Sequence, residues 1–125
     1  MENTITLSGL SIYTIKSKRV IVIKMSGYID IYNSNDFMNF VGKEIEENKH
    51  CDYFLFDFKN INYVSSTGVG AIMKLYNDLD FKNKKMELFN VSKSVKDVID
   101  LLGFSSFLRF NSSSINKYKE NIESN

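Results

Sequence analysis

The sequence predicts an α/β protein on a mixed, mainly parallel sheet of four or five strands with about four helices, and three observations carry that expectation. Short β-branched or aromatic runs alternate with segments of helical spacing. Each intervening segment is long enough for a crossover helix, which makes the strands it joins parallel. The first two runs are separated by only a few polar residues, so they form an antiparallel hairpin.

Taken in order, Ile12-Tyr13-Thr14-Ile15 and Val20-Ile21-Val22-Ile23-Lys24-Met25 are the hairpin strands, with Lys16 to Arg19 as the turn and Gly27 as the end of the second. Ser34 to Asn48 is an amphipathic helix: Phe37, Phe40, Val41 and Ile45 share a face, while Lys43, Glu44, Glu46, Glu47 and Lys49 are expected largely on the solvent side. Tyr53 to Phe58 is a buried strand, and Lys59 to Val64 a loop into Ser65-Ser66-Thr67-Gly68. Val69, Ile72, Met73, Tyr76 and Leu79 then repeat at helical spacing, so the hydroxyls stand at a helix N-terminus. Met86 to Val91 has the period of a strand. Ser92 or Ser94 can cap a helix carrying Val95, Val98, Ile99 and Leu102, and Gly103 stops it. Phe107 to Phe110 is a candidate edge strand, and Ile115, Tyr118 and Ile122 mark a terminal helix. Periodicity assigns Ile21, Ile23, Phe40, Phe54, Phe56, Ile72, Leu88 and Ile99 to the core.

Composition narrows the function. The 125 residues suit one domain, taken as 1–125, and no proline, repeat or low-complexity linker divides them. Lys+Arg 16 against Asp+Glu 15 gives a net charge of +1, which leaves no electrostatic basis for binding nucleic acid or an anionic membrane. No apolar run reaches the ~20 residues of a membrane span, and the start has no secretory-signal pattern, so a soluble cytoplasmic protein is expected. Cys51 is the single cysteine, which excludes an intrachain disulfide and a thiolate metal site.

Enzymatic constellations are equally sparse. His50, the only histidine, sits in a polar connection next to Cys51, which suits a solvated loop residue. Glu44, Glu46 and Glu47 are explained by a soluble helix face. Gly68-Val69-Gly70 opens a helix, but Met73 stands where a dinucleotide fingerprint needs a third small residue, and no Walker lysine follows. There is no Gly-x-Ser-x-Gly elbow. No catalytic residue, metal or cofactor is therefore expected. What remains is Val64-Ser65-Ser66-Thr67-Gly68-Val69-Gly70, three hydroxyls where one would cap a helix. Two readings fit these residues alone: a cap with a glycine-rich start for close packing, or a functional cluster at the carboxyl end of a strand, where open α/β sheets place their sites.

The run from Phe56 to Tyr76, through Asp57-Phe58-Lys59-Asn60-Ile61-Asn62-Tyr63 and the Ser-Ser-Thr-Gly-Val-Gly core, resembles the signature of the STAS domain of bacterial anti-sigma factor antagonists. Ser26-Gly27-Tyr28-Ile29-Asp30, Ser92-x-x-Val95-Lys96 and Leu102-Gly103-Phe104 are similar to that family's pattern as well, and the likeness runs over roughly residues 10 to 122. The resemblance implies a non-enzymatic partner-switching protein, monomeric or weakly dimeric. Its partners would be an anti-sigma factor that is also a GHKL-type serine kinase, with release of a sigma factor or other client, and a phosphatase. It further implies Ser66 as phosphoacceptor and a partner-binding surface of Ser65, Ser66, Thr67, Gly68, Val69, Gly70 and Asp30. One position departs from the pattern: Ser65 stands where the family often has Asp, which bears on kinase docking. The alternative implied is a STAS subunit of a signalling scaffold or transport complex.

Overall fold

A computed structural model describes residues 2–124. Six strands form one sheet in sequence order: β1 (Glu2–Leu7), β2 (Leu10–Ser17), β3 (Val20–Ile29), β4 (Tyr53–Val64), β5 (Lys85–Phe89) and β6 (Arg109–Asn111). The first three are joined antiparallel; β3 to β6 are parallel neighbours. Helices α1 (Ser34–Glu47), α2 (Ser66–Phe81) and α3 (Lys93–Leu101) are the crossovers, and α4 (Ile115–Glu123) follows β6. Every crossover steps the same way along the sheet, so the right-handed rule puts α1, α2 and α3 on one face. β3 shows the resulting two-sided burial. Ile21 and Ile23 join the large core with Phe54, Phe56, Leu88, Ile72 and Ile99, while Val20 and Val22 point the other way and join Leu55, Phe89 and the inner side of α4.

The mixed, mainly parallel α/β architecture and the four helices agree with the sequence, and six details do not. The sheet has six strands, not four or five: β1 is an edge strand, exposed at Glu2, Asn3, Thr4 and Thr6, and has no continuous apolar run to signal it. Gly27 does not end β3. With φ +118 it lies in an irregular stretch of the β3–β4 ladder, where a side chain would strike the Gly9 carbonyl, and the strand continues to Ile29. The expected loop from Lys59 to Val64 is the second half of β4. It reads as polar because, beyond the last β5 pairing at Asp57, it pairs only with β3 and keeps Ile61 and Val64 buried. Glu44 is buried rather than on a solvent face, since Asn3 Nδ2 donates to its Oε1 at 2.8 Å and Asn48 Nδ2 to its Oε2 at 3.1 Å. Phe40, assigned to the core, is only half-buried, lining a groove with Ile5 and Leu7 of β1. The last strand is shifted to Arg109–Asn111, with Phe107 exposed in the preceding turn. Between the two candidate caps of α3, Ser92 is the one that accepts from Val95 N–H.

Candidate functional site

The hydroxyl cluster sits where β4 ends and α2 begins, at the carboxyl end of the sheet. Val64 pairs with Ile29 across the parallel β3–β4 ladder, and Ser65 N–H donates to the Ile29 carbonyl at 2.9 Å, so the chain leaves the sheet held to its neighbour. Ser65 is extended (φ −78°, ψ 171°) and is the N-cap: its Oγ accepts from Gly68 N–H at 3.0 Å and its carbonyl from Val69 N–H at 2.9 Å. Ser66 and Thr67 follow as the first two helical residues and both are exposed. Ser65 is half-buried and its oxygen is engaged. The three hydroxyls are thus unequal, one structural and two presented to solvent.

The flanking residues also divide. Gly68 and Val69 are buried, and Val69 packs into the main core; Gly70 is exposed and has open space at its missing Cβ. The first turn of α2 carries no acidic residue, which leaves the positive end of the helix dipole without an anionic side chain. Asp30 follows Ile29 and so lies at the level of Ser65 on the neighbouring strand, but its carboxylate is occupied locally. Oδ1 accepts from the Tyr32 and Asn33 amides at 2.9 and 3.1 Å, and its carbonyl accepts from Ser34 N–H, closing the turn into α1. Asp30 therefore shapes the surface as a turn-forming residue.

Two groups of residues escaped the sequence reading. Asn33 is buried between the ends of three elements: its Nδ2 donates to the carbonyls of Ser8 (2.8 Å) and Tyr28 (2.9 Å), and its Oδ1 accepts from Asp30 N–H (2.9 Å). Nothing in a lone Asn signals this. Around it, Tyr28, Ile31, Tyr32 and Tyr63 expose large apolar side chains, Ile31 and Tyr32 at 66% and 84% of their full surface. Tyr28 and Tyr63 are paired residues of β3 and β4, so these side chains gather at the sheet end that leads into α2. Two apolar residues in succession inside a turn, Ile31-Tyr32, were the available sign.

His50 stands at the other pole. It precedes β4, whose twelve residues span about 38 Å before Ser65 is reached, so it cannot act as a base on the hydroxyls. Among the described residues no group of three His, Cys, Asp or Glu side chains is placed to hold a metal ion. Burial pushes the Cys51 thiol up, away from the reactive thiolate, and Lys84 opposes this more weakly. No described helix is long and apolar enough to cross a membrane.

A mixed sheet begun by three antiparallel strands, crossover helices α1 to α3 on one face and a helix start capped by Ser65 at the carboxyl end of the sheet define the class: a small single α/β domain. The chain belongs to the STAS domain family, whose model matches residues 11–117. It is 22% identical over 101 residues to the anti-sigma F factor antagonist of Paenibacillus polymyxa, covering 81% of this chain and 86% of that one. It also superposes on the anti-sigma factor antagonist SpoIIAA in its unphosphorylated form (TM-score 0.75, 15% identity, 91% of this chain and 97% of that one). For the phosphorylated form of SpoIIAA, the Bacillus cell fate determinant, the TM-score is 0.68 at 14% identity, covering 89% and 98%. At these identities the structural likeness is one of fold.

Proposed function

We propose that this protein is an anti-sigma factor antagonist: it binds an anti-sigma factor that is also a serine kinase, frees a sigma factor or other client, and is switched off by phosphorylation of Ser66. The observation that carries the reading is the division of labour in the hydroxyl cluster. Ser65 Oγ is committed to the Gly68 amide, whereas Ser66 stands exposed at the first helical position beside an exposed aromatic patch. The names of the curated relative and of the superposed antagonist support the same reading, and one superposed structure is of a phosphorylated form. Between Ser66 and Thr67, both exposed, the family motif selects Ser66.

The switch follows from charge and desolvation. Unmodified, the start of α2 offers small neutral side chains and Gly70, against which a partner packs without burying charge, while Ile31, Tyr32 and Tyr63 supply apolar area. A phosphate at Ser66 adds about −1.5 to −2 charges. The helix dipole stabilises it locally, but a packed protein face must strip its water. A penalty of about 4 kcal/mol lowers affinity roughly a thousandfold, enough to exchange partners with no change of fold. The kinase and an opposing phosphatase would set the population of the two forms. Catalysis by the chain itself is not part of this reading.

The test is direct. The protein is incubated with the anti-sigma factor kinase and ATP, the phosphate is mapped by mass spectrometry, and Ser66→Ala and Ser66→Asp are compared for binding to that kinase. Ser66→Ala should stay unmodified and still bind; Ser66→Asp should keep its fold and bind far more weakly. Phosphate confined to Ser65 or Thr67, or equal binding by both variants, rejects the assignment and favours a scaffold subunit in which the cluster only caps a helix.

A further inference from the structure

We propose that the outer edge of β1 and the groove beneath α1 receive an extended segment of a partner protein as an added strand, its α1-facing side chains alternately apolar and basic. β1 is the terminal strand of the sheet, six residues paired to β2 in unbroken register, so among the described residues its outer row of backbone N–H and C=O groups faces no strand. Its protections are few: β1 has no proline, no lysine and no bulge, and carries only the charge of Glu2 at its start and the Asn3 Oδ1 that accepts from Thr4 N–H at 3.1 Å. The opposite edge, β6, is only three residues long and carries Arg109, which pairs with Glu87.

Beside this edge lies a groove of about 450 Å³ between β1 and α1. Ile5 and Leu7, alternate residues of β1, and Phe40 of α1 give it an apolar floor, and all three are only partly buried. Asp36, Glu44 and Glu47 of α1 line it with carboxylates against the single cation Lys43, a net charge of −2. Asp36 and Glu47 are exposed, while buried Glu44 is held by Asn3. The lining selects the occupant. Backbone pairing to β1 needs an extended chain, the floor needs apolar side chains at every second or fourth position, and the carboxylates need Lys or Arg between them. A second copy of this chain meets the first requirement but brings the same acidic groove and Glu2 against their own kind, which like-charge repulsion opposes.

The experiment uses the full chain and two synthetic octapeptides, Thr-Val-Thr-Lys-Thr-Val-Thr-Lys and the same sequence with Glu for Lys. Fluorescence anisotropy gives affinity, and amide hydrogen exchange by NMR gives location. The lysine peptide should bind saturably and slow exchange in Glu2–Leu7, with the glutamate peptide about tenfold weaker or more. The double variant Asp36→Asn, Glu47→Gln, which changes only exposed side chains, should reduce that preference to about threefold or less. Absence of protection in β1, or equal affinity for the two peptides, overturns the proposal. So does concentration-dependent protection of the same amides in the chain alone, which would give the edge to a second copy.

Discussion

Gly68 runs so close to Ile29 that a Cβ on it would stand 2.5 Å from the Ile29 carbonyl oxygen and 2.9 Å from the Val64 side chain. That carbonyl also accepts the Ser65 amide, so it is fixed, and α2 can start this near the sheet only because its third residue has no side chain. Gly68→Ala should therefore destabilise by about 1–3 kcal/mol through overpacking. Gly70→Ala, with open space and an interior helical position, should be neutral or stabilise by up to about 1 kcal/mol. Urea denaturation of the two variants checks the contrast; equal effects would refute the close-approach account. If a partner packs against α2 at Gly70, the same Gly70→Ala weakens binding despite its unchanged or improved stability.

Asn33 is expected to be worth more than any other polar side chain near the site. Asn33→Ala removes two donated bonds and one accepted bond at a buried position joining the β1–β2 turn, the end of β3 and the start of α1. A loss of about 2–4 kcal/mol in urea denaturation is the expected outcome. A loss under about 1 kcal/mol would mean that water replaces the amide there.

The exposed tyrosines should behave in the opposite way. Tyr32 and Tyr63 are 84% and 54% exposed, so Tyr32→Ser and Tyr63→Ser should change stability by no more than about 0.5 kcal/mol. Binding to the anti-sigma factor should weaken about tenfold or more for at least one of them. Calorimetric titration with that partner decides it, and unchanged affinity for both would move the interface away from this end of the sheet.

What the sequence made legible was set by burial. The crossover helices and the strands Val20 to Met25 and Tyr53 to Phe58 lie in the middle of the sheet, and their side chains carry the period of the element they build. β1 and the second half of β4 are paired on one side only, so half their side chains meet water and the signal fades. Glu44 differs for a related reason: on a helix wheel it borders the polar face, and its carboxylate is held by Asn3 of the unpredicted β1 together with Asn48. At the site, Ser65 to Gly70 were found by motif, while Asn33 and the Tyr28, Ile31, Tyr32, Tyr63 group went unmarked. Those residues converge only through the β3–β4 register, a long-range relationship that local periodicity does not carry.

The back of the sheet supplies a pH-dependent test. Tyr118 of α4 donates its hydroxyl to Glu87, a buried carboxylate of β5 that also accepts from Asn111 Nδ2 at 3.0 Å and lies 3.5 Å from Arg109 Nε. Its ring meets Phe89 edge-on with centroids 5.4 Å apart. Burial, and next the bond to Glu87, hold the Tyr118 hydroxyl well above the ordinary tyrosine value. A group whose folded pKa is raised keeps its proton more tightly when folded, so its stabilising effect is complete below the unfolded value of about 10 and is lost as pH rises beyond it. Tyr118→Phe keeps the ring and removes only the bond, and should cost about 1–2 kcal/mol at pH 7. The gap between wild type and Tyr118→Phe, from urea denaturation at a series of pH values, should hold steady up to about pH 10 and narrow above it. A gap that stays constant to about pH 11.5 would show that the hydroxyl does not titrate with folding. A gap absent at pH 7 would show that α4 is held by its apolar contacts alone.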